Sequence, residues 1–281
     1  MIVVTGATGN VGSALVQTLA AAGEQVIAVS RSATEPALPA GVRHQRADLT
    51  VPATLSPAFA GARALFLHDT GISAHLMDPR AILDLAKSAG IQRVVHLSSQ
   101  GVLTRPESAS HGQLGHSFEE AVRGSGLEWT ILRPGAFASN AYAWAESART
   151  ERTVAAPFGE VGLPVVDPLD IAEVAAAALR EDGHAGHSYT LTGPALSTPR
   201  RRAEDLAAAL GEPIRFVEQT RAQARDQMLH FMPEPVVETT LDILGAPTPE
   251  EQRLCADIEK VLGRPPHTFA QWARRNTFAF K

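Results

Sequence analysis

One cysteine, Cys255, is all this 281-residue chain contains, so no internal disulfide can form and the fold must rest on its core. A reducing, cytoplasmic setting is expected. No apolar run reaches the roughly 20 residues of a membrane-spanning helix. The chain passes at once into Ile2-Val3-Val4, so no basic leader or cleavable signal is expected. Positive charge is not in excess. The 25 Lys and Arg against 30 Asp and Glu leave a net charge of -5, which gives no reason to expect nucleic acid or an anionic membrane as partner. Ten histidines are present, but none forms an H-x-x-x-H or H-E-x-x-H pattern, so no metal site is expected. The G-x-S-x-G turn of serine hydrolases is missing too. Tyrosine is scarce: Tyr142 comes first, and Tyr189 is the other.

What is present is a regular alternation. Short apolar runs at Ile2–Val4, Gln25–Val29, Gly41–Gln45, Ala62–Leu67, Arg93–Leu97 and Glu128–Leu132 predict strands. Between them, Val11–Ala22, Pro79–Ala89 and Leu114–Gly124 predict helices. Apolar strands spaced by helices indicate βαβ units and a parallel sheet covered on both faces. After Pro134 the rhythm changes. Pro168–Leu179 predicts a helix, Ser188–Leu191 a returning strand, Arg201–Leu210 a helix stopped by Gly211, and Pro213–Val217 a short strand. Helices are expected over 220–230, 234–244, 248–262 and 267–276, punctuated by proline. The expected fold class is α/β, a Rossmann-type doubly wound parallel sheet with a smaller, mostly helical substrate-binding domain. Residues 1–134 with 167–193 would form the first unit, and 135–166 with 194–281 the second.

Thr5-Gly6-Ala7-Thr8-Gly9-Asn10-Val11-Gly12 lies between the first strand and the first helix. Gly6 suits the tight turn, Gly9 lets backbone approach a pyrophosphate, and Gly12 lets the helix pack close to the sheet. The helix start then offers N–H groups and a positive dipole end to the phosphates. The spacing is Gly-x-x-Gly-x-x-Gly, not G-x-G-x-x-G. The second strand ends in Ser30-Arg31, with no acid before Glu35 to hold a ribose 2′-hydroxyl. A guanidinium and a hydroxyl suit a 2′-phosphate, so NADP(H) is expected in preference to NAD(H). Asp48-Leu49, after the third strand, is placed for the adenine, although Asp48 equally suits a turn cap. His68 and Asp69, after the fourth strand, are further candidates for cofactor contact.

Several segments together resemble the atypical short-chain dehydrogenase/reductases of the NmrA-like group. They are TGATGNVG at 5–12, VVHLSSQGV at 94–102, SGLEWTILRPGAF at 125–137, PVVDPLDIAEVAAAAL at 164–179 and HSYTLTGPALST at 187–198. The resemblance covers about residues 1–220 and implies an extended Rossmann domain that binds NADP(H). The group holds both reductases and cofactor-sensing regulators. Related enzymes carry Tyr-x-x-x-Lys after the fifth strand, and the matching positions here fall on His111 and Gly115. The phenol and the ammonium of that pair are both missing. Hydride transfer still needs only orientation, proximity and a dry pocket.

Ser98, Ser99 and His111 are the candidate catalytic residues: two strand-end hydroxyls, and an imidazole that titrates near neutrality. Phe137, Asn140, Tyr142 and Trp144 follow the sixth strand and are expected at the substrate cleft. Met228, Phe231 and Met232 would form a second, adaptable wall. The resulting expectation is an NADP(H)-dependent oxidoreductase passing hydride to a quinone, ketone, enone or imine of a small apolar substrate. The alternative is a non-catalytic NADP(H)-sensing regulator. The partner expected is a small molecule, and a homodimer stays open.

Overall fold

The computed structural model describes residues 1–32, 38–68 and 74–281. Seven parallel strands form the main sheet: β1 (Ile2–Thr5), β2 (Val26–Ser30), β3 (Val42–Arg46), β4 (Ala64–His68), β5 (Arg93–Leu97), β6 (Glu128–Pro134) and β8 (His187–Leu191). A further strand, β7 (Thr153–Pro157), pairs in parallel with β9 (Arg215–Gln219) in a separate two-stranded sheet. The order across the main sheet is β3-β2-β1-β4-β5-β6-β8. The chain works outward from β1 on one side, then returns to β4 on the other. That reversal opens a crevice beyond the carboxyl ends of β1 and β4, where such sheets bind ligands.

The helices are α1 (Asn10–Ala21), α2 (Ser56–Phe59), α3 (Pro79–Ser88), α4 (Gly101–Thr104), α5 (Leu114–Gly124), α6 (Ala145–Glu151), α7 (Pro168–Arg180), α8 (Pro199–Leu210), α9 (Arg221–Met228), α10 (Glu234–Gly245), α11 (Asp257–Leu262) and α12 (Phe269–Arg275). None is long and apolar enough to cross a membrane. Alternation along the strands divides the core. Val4 and Val95 pack with Leu15 and Leu19 of α1 and with Ile171 and Ala175 of α7. Val3 and Val94 point the other way, toward Ile82 and Leu83 of α3 and Val122 of α5. A third cluster joins Ala138, Val154, Leu206, Trp272 and Phe280, and lies under the small sheet.

Three features depart from the expected pattern. The helix expected over 248–262 forms only as α11, from Asp257. Before it, backbone and side chains are tied to distant elements: Cys255 N–H donates to Thr192 Oγ1, and Gln252 Nε2 to the Gly162 carbonyl. Such ties replace the repeating bonds of a helix. The strand β7 and helix α6 escaped the sequence pattern. Thr153-Val154-Ala155-Ala156-Pro157 is short and alanine-rich, and its register comes from β9, some 60 residues on. Finally, α11 turns back to the main sheet, where Ile258 is fully buried among α1 and α7 side chains. The segment after it is anchored there by Asp170 of α7, whose carboxylate accepts from His267 N–H at 2.7 Å and from Arg264 at 2.8 Å.

Candidate functional site

The turn from β1 into α1 is shaped by sterics. Gly6 has φ +62°, and a Cβ there would meet the His68 ring at 2.2 Å. Gly9 is the N-cap of α1, with no side-chain cap and no acidic residue in the first turn. Among the described residues, the N–H groups of Asn10, Val11 and Gly12 donate to no backbone carbonyl, whereas Ser13 N–H begins the helical ladder by donating to Gly9. Three free donors at the positive end of a twelve-residue helix form an anion site. Asn10 also ties this turn to the second half of the chain, through Ser139 Oγ at 3.1 Å.

These groups border a cavity of about 360 Å³. Gly6, Thr8, Gly9, Asn10, Val11, Gly12, Ser30, Arg31, Asp48, Leu49 and His68 all line it, together with Thr5, Phe66, Met77, Leu97 and Phe137. Arg31 is exposed at the end of β2. Ser30 Oγ lies 2.8 Å from His44 Nε2, a contact from the neighbouring strand that no local pattern announces. Asp48 works as a turn cap while facing the cavity: its Oδ1 accepts from Thr50 N and Thr50 Oγ1, both at 2.9 Å. The Thr50 backbone bond, then its hydroxyl, hold the Asp48 carboxyl below its usual range, and Arg31 adds to this. Asp69 lies outside the described residues, as does Glu35. An uncapped helix start, three free N–H groups, and a cation beside the far end of the cleft fit a dinucleotide carrying a 2′-phosphate.

A second cavity of about 620 Å³ adjoins the first, and Phe137 borders both. Ser99, His111, Asn140, Trp144, Met228, Phe231 and Met232 line it, as do Gln100, Arg202 and Glu251. His111 lies in a single π-helical turn, Ala109–Gln113, directly before α5. Its Nδ1 is 2.8 Å from Ser110 Oγ. Burial pulls its imidazole pKa below the usual value; Glu251 opposes this, and Arg105 adds to the fall. Gly115, at the family's lysine position, is buried in α5.

Two expected residues sit elsewhere. Ser98 lines neither cavity. It is 2% exposed and donates to Glu119 Oε1 at 2.7 Å, on the inner side of α5. Successive strand residues point to opposite faces, so only one of the Ser98–Ser99 pair reaches the cleft. Tyr142 lines neither cavity either. Its hydroxyl donates to Asn276 Oδ1 at 2.5 Å, and its ring packs on Trp272 and Phe280. The 3₁₀ turn Ala138–Trp144 carries Asn140 and Trp144 toward the cavity and Tyr142 toward the third core cluster. Arg202 was missed because Arg200-Arg201-Arg202 looks like a solvated run. Its one signal is its place four residues before Leu206, on the buried face of α8.

The family described as NAD(P)H-binding matches residues 6–182. This chain belongs to that family. A (4-alkanoyl-5-oxo-2,5-dihydrofuran-3-yl)methyl phosphate reductase from Streptomyces griseus is 33% identical over all of this chain and 99% of its own length. An NAD(P)H azoreductase from Xenophilus azovorans is also 33% identical, over 100% of this chain and 99% of its own. Among solved structures, an NADPH-dependent quinone oxidoreductase from Escherichia coli in complex with NADPH shares the fold. Its TM-score is 0.77 at 23% identity, covering 98% of this chain and 99% of that one. The negative transcriptional regulator NmrA shares the fold too, with a TM-score of 0.72 at 20% identity over 98% of this chain and 95% of that one. By this kinship the chain is an NAD(P)H-dependent reductase of Rossmann fold.

Proposed function

We propose that the chain uses NADPH to reduce a conjugated small molecule, such as a quinone, enone, azo compound, ketone or imine, without a tyrosine acid. The observation carrying this is the junction at Phe137. A largely apolar cavity, large enough for a bicyclic acceptor, opens directly beside the cavity lined by the glycine turn. The full-length reductase relatives act on a furanone and on azo compounds by their names, both conjugated acceptors.

When bound, the dinucleotide supplies a hydride from its reduced nicotinamide ring. The N–H groups of Asn10, Val11 and Gly12 would hold its pyrophosphate, Arg31 and Ser30 its 2′-phosphate, and Leu49 and Asp48 its adenine end. Phe137, half-buried between the cavities, keeps water from the reacting space. Ser99 Oγ accepts from Gly101 N–H at 3.1 Å, which leaves its proton free to donate to the acceptor. In the tautomer protonated on Nε2, with Nδ1 facing the Ser110 hydroxyl, His111 would be a second donor toward the acceptor. Burial keeps that ring neutral at pH 7, so it polarises the acceptor and the final proton comes from water. Acceptors whose reduced oxygens are acidic, quinones above all, need no stronger acid.

The test is NADPH consumption by the purified chain against a panel of quinones, enones and azo compounds. Turnover of at least one class, with NADPH preferred over NADH, is expected. Tight NADPH binding with no turnover of any acceptor would overturn the proposal.

A further inference from the structure

The three arginines that open α8 have different surroundings. Arg200 pairs with Glu160, and Arg201 with Glu204 and Asp205, and both reach solvent. Arg202 turns inward and is 7% exposed. Among the described residues no carboxylate pairs with it. Its partners are the Thr198 carbonyl, 3.5 Å from Nε, and the Trp144 ring, whose centroid is 5.4 Å from Cζ. The first contact is at the limit of a hydrogen bond, and the second is a cation–π contact that holds the guanidinium without neutralising it.

A buried, unpaired cation costs stability, and proteins keep such groups where a ligand completes them. Burial draws the Arg202 pKa down to about 10, so the group still carries its charge at neutral pH. It borders the 620 Å³ cavity. The other permanent charge on that wall, Glu251, is already bound by Arg105 through two contacts of 2.8 and 2.9 Å. The first N–H groups of α8 are occupied as well: Arg200 N–H donates to the Gly159 carbonyl, Arg201 N–H to Thr198 Oγ1, and Arg202 N–H to the Thr198 carbonyl. The guanidinium is therefore the electrostatic group of this cavity left without a counter-charge.

We propose that Arg202 binds an anionic oxygen group, carboxylate or phosphate, carried by the acceptor, so that the enzyme selects acidic substrates. This rests on the second cavity being the acceptor site. A planar guanidinium held on an indole is pre-set for a two-point contact with such a group. It lines the same cavity as Ser99 and His111, so one molecule can present a reducible group to these two and an acid to Arg202.

The experiment uses two matched acceptor pairs. One is 4-dimethylaminoazobenzene with and without a 2-carboxylate. The other is a hydroxymethyl butenolide and its phosphate ester. The wild-type chain should favour the charged member of at least one pair in kcat/KM, and the responding pair identifies carboxylate or phosphate. Arg202→Met should reduce that preference by about a hundredfold, and Arg202→Lys should restore part of it. Without ligand, Arg202→Met should raise the melting temperature, because it removes a desolvated charge; a purely structural arginine would lower it. A charged-to-neutral ratio near one in the wild type, or one unchanged by Arg202→Met in both pairs, would overturn the proposal while leaving the reductase reading intact. If no acceptor is reduced, calorimetry on the NADP⁺-loaded chain decides. Binding of a charged probe that is lost in Arg202→Met would support the anion site although the reductase reading had failed, and its absence would end both.

Discussion

Gly12 lies so close to Gly6 that a Cβ on Gly12 would stand 2.1 Å from the Gly6 carbonyl oxygen. Gly9, between them in sequence, has an ordinary φ of -81°, and a Cβ there would lie 3.3 Å from the same oxygen, tight but tolerable. The two glycines therefore answer different questions. Gly12→Ala should cost about 3 kcal/mol of stability through overlap with backbone, seen as a lower melting temperature. Gly9→Asp should fold, and its carboxylate should cap α1 and add about 0.3 kcal/mol. The same carboxylate should weaken NADPH binding by at least about a hundredfold by occupying and repelling the pyrophosphate site. Melting curves and calorimetry on both variants check this, and unchanged NADPH affinity in Gly9→Asp would remove the pyrophosphate from α1.

Arg31 is the residue on which the proposed preference for NADPH can be tested. Replacing it with Ala should raise the NADPH dissociation constant about thirtyfold, the worth of a charge-assisted hydrogen bond to phosphate. NADH affinity should change far less, because its ribose carries no anion there. Equal losses for both nucleotides would show that Arg31 does not touch the 2′-phosphate.

Glu119 is a prediction about stability. Burial alone would raise its carboxyl pKa, but Arg133 at 2.8 Å, the Ser98 hydroxyl and Arg123 outweigh that and hold it at about 2. The depressed value means that its stabilising effect is complete above the ordinary 4.5 and is lost as pH falls from there toward about 2. The shift corresponds to about 3 kcal/mol. Glu119→Gln should lose a comparable amount at pH 7, because Arg133 keeps a buried end without its anion. Urea unfolding across the acidic range should show the variant less sensitive to pH than the wild type.

His111 provides the test of how the acceptor is polarised. His111→Leu should lower kcat about tenfold, and His111→Gln, which keeps a donor, should recover part of it. Because the imidazole pKa is depressed, the ring stays neutral above the usual histidine range, and kcat should be flat from about pH 7 to 9. Steady-state rates over pH check this. A kcat that climbs on acidification, and loses that climb in His111→Leu, would instead make the imidazolium the proton donor.

Much of the architecture was readable because it follows from local rules. The runs at Arg93–Leu97 and Leu114–Gly124 matched the observed β5 and α5 to the residue, since a short apolar run and a helical stripe depend only on neighbours. The glycine turn was equally plain, as the absence of a Cβ is a property of one residue. The segment 248–262 misled because the Cys255 backbone N–H is spent on Thr192 and the Gln252 side chain on Gly162, partners that no local pattern announces.

Residue spacing alone specified a parallel sheet with an anion-binding helix start, for strand alternation and glycine sterics act within a few residues. Only the tertiary structure decided that Ser99 and not Ser98 meets the cavity, that Tyr142 packs inward on Trp272, and that Arg202 is buried there without a carboxylate. Each of those outcomes depends on which side chains the folded chain brings from far along the sequence, and burial and pairing have no meaning until it does.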